Sequence, residues 1–117
     1  MRDCQLYELP WPPSVNGYWR SFRGRQIISR RGRDYRDLVQ AELAGTKAML
    51  GRLKISICLH PPDKRRRDID NVLKAIFDSL VHAGAMEDDS QIDELYAVRR
   101  EVVPGGLAIV ELRKARR

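Results

Sequence analysis

Apolar and polar residues alternate most regularly over residues 53–60. Every odd position from Leu53 to Leu59 is apolar, and the even positions are polar or small. A period of two places alternate side chains on opposite faces of a strand, so this segment predicts a strand with one buried face. Pro61-Pro62 ends it, because proline cannot donate to a β-ladder. Residues 4–9 predict a shorter strand that stops at Pro10.

Two other segments have helical spacing. In one of them, apolar residues recur at intervals of three and four positions, at Ile69, Val72, Leu73, Ile76, Phe77 and Leu80. This spacing predicts a helix from about residue 69 to residues 82–84, with one face in the core. In the other, a stripe predicts a helix from near Ser29 to about Leu50, closed by Gly51. Its members are Tyr35, Leu38, Val39, Leu43 and Leu50.

The last part of the chain predicts two more strands. Residues 92–103 are extended in pattern, and Pro104-Gly105-Gly106 predicts a turn into a strand from Leu107 to Arg113, so the two are expected to form a hairpin. The element order indicates an α+β fold, a two-layer domain with two helices packed on one face of a mixed β-sheet. No linker or repeat divides the chain. We therefore interpret residues 1–117 as one domain with a basic tail at residues 113–117.

Composition narrows the choice of partners. The 117-residue chain has a formal net charge of +6, which favours nucleic acid and, less strongly, an anionic membrane surface. No apolar run approaches the roughly 20 residues of a membrane span, and the start of the chain lacks a signal-peptide pattern. Cys4 and Cys58 have no metal-binding spacing and predict a reduced pair, so we expect a cytoplasmic protein. The chain has no glycine-rich phosphate loop, and no nucleotide cofactor is expected.

Residues 18–36 combine arginine with aromatic residues. Seven arginines stand against one acid, Asp34, and four aromatic residues are interleaved with them. An arginine run alone is typical of a solvated face. The added aromatic residues favour a nucleic-acid surface, since their rings stack on bases while arginines hold phosphates. We expect DNA contacts from six arginines here and in the later basic run, namely Arg20, Arg23, Arg25, Arg65, Arg66 and Arg67.

Acidic residues stand in two unusual places. Asp68 and Asp70 follow directly on the basic run of residues 64–67, and Lys74 comes one helical turn later. Residues 87–94 hold five acids and no base in a chain that is otherwise basic. If the strand that returns after this turn runs alongside, Asp68, Asp70 and Asp89 converge next to the basic loop. A few carboxylates together with a substrate phosphate typically hold Mg²⁺, which can activate a water for phosphodiester hydrolysis.

Each of these residues also has a structural interpretation. Asp68 is suited to cap the helix that follows it. Lys74 can form a salt bridge with Asp70 or Asp78, and the acidic turn can simply end a loop.

Two motifs stand in order along nearly the whole chain. Near the start, residues 9–16 read L-P-W-P-P-S-V-N. Residues 65–74 read R-R-R-D-I-D-N-V-L-K and are followed by Phe77-Asp78, Gly84 and Asp88-Asp89. The first is similar to the opening L-P-x-P-P-S-x-N, and the second contains R-D-x-D-N-x-x-K, of one family. Together they resemble the RusA family of Holliday-junction resolvases.

The resemblance implies a homodimeric, Mg²⁺-dependent endonuclease of phages and prophages, with Mn²⁺ as a substitute metal. Such an enzyme binds four-way or branched DNA and cuts paired strands symmetrically in recombination and repair. Carried over by position, the resemblance implies four catalytic side chains, of which the first three also bind the metal: Asp68, Asp70, Asp89 and Lys74. Asn71 and Asp88 are expected to support the metal ligands.

Three hypotheses stand side by side. The first is a junction-resolving nuclease, and the second is a branched-DNA-binding module without turnover, in which the acids serve as caps and turn residues. The third is a metal-dependent nuclease that acts mainly on other branched or single-stranded DNA. Membrane binding is the weakest interpretation, because neither predicted helix is strongly basic on one face and bulky-apolar on the other.

Overall fold

A four-stranded mixed sheet forms the centre of the structure, a computed structural model that describes residues 4–116. The elements in chain order are β1 (Cys4–Leu9), α1 (Val15–Tyr18), β2 (Trp19–Phe22), β3 (Arg25–Ile28), α2 (Arg30–Glu42), β4 (Leu53–His60), α3 (Leu73–His82), β5 (Ile92–Arg99) and β6 (Leu107–Lys114). Two 3₁₀ turns, Ile69–Val72 and Asp89–Gln91, precede α3 and β5. The α+β class and the mixed sheet predicted from the sequence are confirmed.

The order of strands in the sheet is β1-β6-β4-β5. β6 runs antiparallel to both of its neighbours, whereas β5 is parallel to β4 at the edge. The predicted hairpin between the last two strands is therefore wrong. The burial of the strands explains why. β6 alternates buried residues at Ala108, Val110 and Leu112, as a central strand must, while β5 exposes Glu94 and Tyr96 and suits an edge.

One face of the sheet is buried under the helices. The apolar set of β4, from Leu53 to Leu59, is at most 2% exposed. Tyr35 and Val39 of α2 and Ile76 of α3 belong to the same core, and the two helices pack against each other. The strongest periodic signals in the sequence therefore mark the core, as a period of two or 3.6 residues predicts.

Both predicted helices differ from the observed ones. α2 ends at Glu42 rather than near Leu50, because Gly45 has a positive φ of 83° that a helix does not continue through. Leu38 and Leu50 are 56% and 60% exposed and do not belong to its buried face. The central helix begins as a 3₁₀ turn over Ile69–Val72, and the α-helix starts only at Leu73.

A second, two-stranded sheet was not predicted from the sequence. β2 and β3 pair antiparallel around Arg23 and Gly24, whose φ values of 51° and 74° are both positive. Positive φ at both turn residues is the signature of the type I′ hairpin, and the Arg-Gly pair was its only local signal. The residues before it form the single helical turn α1, where Ser14 accepts a hydrogen bond from the Gly17 N–H at 3.1 Å.

The last strand reaches further along the chain than predicted. β6 extends to Lys114, so part of the predicted basic tail belongs to the sheet, while Arg117 lies outside the described residues.

Among residues 4–116, no helix combines the length and the apolar character needed to cross a membrane.

Candidate active site

The basic loop, residues 61–68 between β4 and the first 3₁₀ turn, is built around one acid. Asp63 accepts hydrogen bonds from the Arg67 guanidinium at 2.8 Å and from the Arg65 backbone N–H at 2.9 Å. These hydrogen bonds, with that from Arg67 the strongest, hold the pKa of the Asp63 carboxyl well below its usual range. Exposed ion pairs add little stability by themselves. The effect of Asp63 is therefore to give the loop a defined shape.

Arg67 fastens this loop to the rest of the fold. Its side chain is only 22% exposed, and its guanidinium lies over the Trp11 ring, 5.9 Å from the centroid. The Arg67 carbonyl accepts a hydrogen bond from Arg99, at the end of β5, at 2.5 Å. A Cβ on Gly106 would stand 2.5 Å from the Cβ of Trp11, so a glycine is needed there for the indole to fit. The backbone just before Asp68 is thus held at two points, by Trp11 at the Arg67 side chain and by Arg99 at the Arg67 carbonyl.

Asp68 and Asp70 stand on the first 3₁₀ turn with their carboxylates unengaged. Asp68 occupies the cap position, but its side chain makes no capping hydrogen bond, and only its carbonyl accepts, from the Asn71 N–H at 3.2 Å. Asp70 is exposed. Within residues 4–116, neither carboxylate has a hydrogen-bond or ion-pair partner. The interpretation of Asp68 as an ordinary helix cap is therefore not supported.

Lys74 lies in the first turn of α3 and is exposed. Its alternative role was a salt bridge to Asp70 or Asp78. Asp78 instead binds Arg36 at 2.7 Å and the hydroxyl of Tyr18. Lys74 makes no ion pair with any residue in the described part of the chain. Its ammonium group remains available for a ligand.

The acidic turn divides its two aspartates between different tasks. Asp88 caps the second 3₁₀ turn by accepting from the Ser90 N–H at 3.0 Å, and Gln91 completes the capping box. The hydrogen bonding from Ser90, followed by the charge of Lys74, lowers the pKa of the Asp88 carboxyl. Asp89 is half-buried, and its carboxylate has no hydrogen-bond partner within residues 4–116. Asp88 therefore shapes the turn, while Asp89 is left free.

The amide of Gln91 joins this turn to the segment before β4. Its Nε2 donates to the carbonyls of Met49 and Gly51, both at 2.9 Å, and its Oε1 accepts from the backbone N–H of Glu87 and Asp88. Sequence reasoning missed this residue. Its signal was weak, a glutamine three positions after a capping acid. The turn that carries Asp89 is consequently a fixed part of the fold.

The acidic side chains are suitable metal ligands, but those in the described part of the chain do not lie close enough together to form a complete metal site. Asp68, Asp70 and Asp89 offer oxygen donors without protein partners, and such donors suit a hard divalent cation. No group of three or more His, Cys, Asp or Glu side chains among residues 4–116 is placed to hold a metal ion. A shared metal site for these three residues stays a prediction.

Cations line both grooves that Asp68 borders. A groove of about 360 Å³ contains Arg66 and Arg100, and a second of about 320 Å³ contains Arg31 and Asn71. Arg31, Arg99 and Arg100 were not among the predicted contacts, because nothing in their spacing separates them from the other arginines. Asp68 thus stands among positive charges on a surface suited to a polyanion.

The β2–β3 hairpin carries the other predicted contacts. Arg20, Arg23 and Arg25 are all exposed. The guanidinium groups of Arg20 and Arg23 lie 5.4 Å and 5.1 Å from the centroid of the Phe22 ring, which is itself 47% exposed. An exposed aromatic ring flanked by cations is a surface on which a base can stack.

Unpartnered carboxylates among clustered arginines on an α+β domain fit the class of proteins that act on polyanions, with nucleic acid as the first choice. Comparison with known proteins makes the class specific. Residues 10–110 match the family model described as endodeoxyribonuclease RusA. The chain belongs to the RusA family, as the two motifs predicted.

Several curated relatives cover most of the chain. It is 45% identical over 103 residues to the crossover junction endodeoxyribonuclease rusA of Enterobacteria phage HK97. The aligned residues cover 86% of this chain and 86% of the relative. The protein of the same name from Enterobacteria phage 82 is 46% identical over 110 residues, 89% of this chain and 92% of the relative. The crossover junction endodeoxyribonuclease RusA of Escherichia coli (strain K12) is 44% identical over the same shares.

Proposed function

We propose that this protein is a crossover junction endodeoxyribonuclease that hydrolyses phosphodiester bonds at four-way DNA junctions. One observation carries the proposal beyond family membership. The carboxylates of Asp68, Asp70 and Asp89 and the ammonium of Lys74 have no ion-pair partner among residues 4–116, whereas Asp63 and Asp78, the acids on either side of the motif, are both paired with arginine. Unpaired charges of both signs at matching family positions are expected where a substrate and an ion complete the site.

The proposed metal is Mg²⁺, with Mn²⁺ as a substitute, held by Asp68, Asp70 and Asp89. The donor chemistry supports this choice, since carboxylate oxygens are preferred ligands of both ions. A bound ion would activate the attacking water and offset negative charge on the phosphate.

The protein's own residues orient the DNA and hold this site together. Lys74 is proposed to contact the scissile phosphate, where its positive charge stabilises the transition state. Asp88 keeps the backbone of Asp89 in place by capping its turn, and Asn71 fixes the carbonyl of Asp68. The proposed phosphate contacts are Arg20, Arg23, Arg25, Arg65 and Arg66, whereas Arg67, which binds Asp63 and lies over Trp11, is proposed to shape the loop.

A homodimer would match the geometry of the substrate. A four-way junction has approximate two-fold symmetry, and a two-fold dimer offers identical sites to two strands of like polarity. Paired symmetric cuts would follow from that arrangement. Each chain brings a formal charge of +6, so affinity for DNA is expected to fall steeply with salt.

The test is cleavage of a synthetic four-way junction in Mg²⁺ and in EDTA. Asp70→Asn is compared with Asp37→Asn, a matched change at an exposed acid of α2. We expect symmetric nicks that require the metal, disappear in Asp70→Asn and persist in Asp37→Asn, while both variants bind the junction.

Two other outcomes would contradict the proposal. Tight junction binding without cleavage under Mg²⁺ or Mn²⁺ would make the protein a binding module. Equal cleavage of a linear duplex of the same sequence would make it a nuclease without preference for junctions.

A further inference from the structure

A groove of about 710 Å³ lies between the β2–β3 hairpin and the start of α3. Trp19 and Val15 give it an apolar wall. Trp19 is half-buried and held edge-on by the Tyr18 ring, with centroids 5.0 Å apart and planes at 75°. The wall therefore presents an aromatic ring whose orientation is supported by the Tyr18 contact.

The polar lining of this groove consists of hydrogen-bonding and positively charged groups. Asn16, Ser21 and Gln26 supply amides and a hydroxyl, while Arg20 and Lys74 supply positive charge. Among the described residues, no carboxylate lines it. Gln26 is exposed, and within residues 4–116 its amide makes a single hydrogen bond, of 3.3 Å, to Ser21 across the hairpin. Its second donor and its carbonyl oxygen therefore remain available to a ligand.

Three kinds of contact meet here that together match one ligand chemistry. An aromatic wall stacks a base, side-chain amides pair with base edges, and cations hold phosphates. A simple phosphate site would not need the apolar wall, and an apolar ligand would leave the two cations unpaired. A volume in the range of small-molecule sites can hold a complete nucleotide.

We propose that this groove takes up one unpaired nucleotide of the DNA, beside the phosphate that Lys74 contacts. The base lies against Trp19 and presents its edge to Gln26. This inference rests on the proposed function and adds a binding site to it.

The site explains how a junction can be preferred to a duplex. Turning a base out of a continuous helix costs stacking and pairing, and the cost is least where these are already broken. At a branch point the continuous stack is interrupted, so this cost is lower there than within a duplex. The groove would also give a base preference at one position, because an amide that pairs well with one base edge leaves a polar atom unpaired against another.

The test couples a change in the protein to a change in the DNA. Gln26→Ala is made in the full chain together with Asp70→Asn, which keeps the DNA intact, and Gln40→Ala on the exposed face of α2 is the matched control. Affinity is measured for a four-way junction and for junctions in which each nucleotide around the branch point is made abasic in turn.

We expect Gln26→Ala to weaken binding of the intact junction by about tenfold. At one abasic position the variant and its parent should bind equally, and Gln40→Ala should match the parent everywhere. A misfolded variant would weaken all junctions alike, so equal weakening without a special position overturns the inference, as does unchanged affinity.

The outcomes separate this inference from the proposed function. If the unmodified protein cuts junctions but no abasic position removes the effect of Gln26→Ala, the groove does not hold a nucleotide and the nuclease assignment stands. If the coupling is present and no divalent metal supports cleavage, the nucleotide site stands and the nuclease assignment fails.

Discussion

Arg66 and Arg67 are neighbours in the basic loop, but the structure predicts different effects when each is replaced by glutamine. Arg66 is exposed and has no hydrogen-bond partner among residues 4–116. Arg67 is bound to Asp63 at 2.8 Å and lies over Trp11. We expect Arg66 to contact a phosphate, and Arg67 to shape the loop ahead of Asp68.

The magnitude follows from counterion release. Each phosphate contact contributes about 0.9 to the slope of log affinity against log salt. Arg66→Gln should therefore reduce the slope by about 0.9 for each bound chain, or about 1.8 if two chains bind one junction. For one contact, a fourfold rise in salt costs the unmodified protein about 3.5-fold more affinity than the variant. Arg67→Gln should leave the slope unchanged and lower the cleavage rate.

The assay is fluorescence anisotropy with a labelled junction in EDTA, between about 50 and about 200 mM salt. Arg113→Gln is the control, because Arg113 pairs with Glu111 at 3.1 Å at the far end of β6 from the basic loop. Cleavage rates are then measured in Mg²⁺. If Arg67→Gln reduces the slope as much as Arg66→Gln, Arg67 leaves its internal partners to bind DNA, and its assignment to shaping the loop is wrong.

Three further predictions concern the scaffold. Gly32→Ala should lower the free energy of unfolding by about 1–3 kcal/mol in chemical denaturation, because its Cβ would lie 2.5 Å from a backbone carbonyl oxygen; unchanged stability would mean that α2 can shift. Asp78→Ala should cost about 1–3 kcal/mol in the same assay, since it removes the ion-pair partner of Arg36, whose side chain is only 22% exposed; a loss below about 0.5 kcal/mol would contradict this. The hydrogen bond from Arg67 lowers the pKa of Asp63 in the folded state, so its stabilising contribution is present above about pH 4 and is lost as the pH falls through the lower folded value. Carbon-detected NMR should show Asp63 titrating below that ordinary pH, and a midpoint near 4 would count against its anchoring role.

Periodicity predicted the elements that have one buried and one polar face. The strand over residues 53–60 and the core-facing side of the central helix are local patterns, and both are present. The position of β6 between β1 and β4 is not local, since a proline–glycine turn looks the same whether the next strand pairs with its predecessor or passes it. The two arrangements differ in how deeply the strand is buried. The sequence pattern of the strand can be interpreted in terms of burial only when its neighbouring strands are known.

The candidate site was likewise predicted only in part from the sequence. The positions of Asp68, Asp70 and Lys74 followed from a motif, and their lack of protein partners agrees with a functional role. The different tasks of Asp88 and Asp89 depend on turn geometry that adjacent identical residues cannot reveal. Asp63 was passed over because a single acid in a basic run is typical of a solvated loop.

The central position of β6 has a consequence for synthesis on the ribosome. β1 pairs only with β6 in the described sheet, with Cys4 opposite Arg113, so β1 cannot pair until β6 has been synthesised. Until residues 107–114 leave the exit tunnel, a nascent chain can form the β4–α3–β5 unit, but β1 has no strand to pair with. Such long-range pairing slows folding and leaves strand edges open in the meantime. A premature stop before Leu107 would remove the middle of the sheet and not its margin.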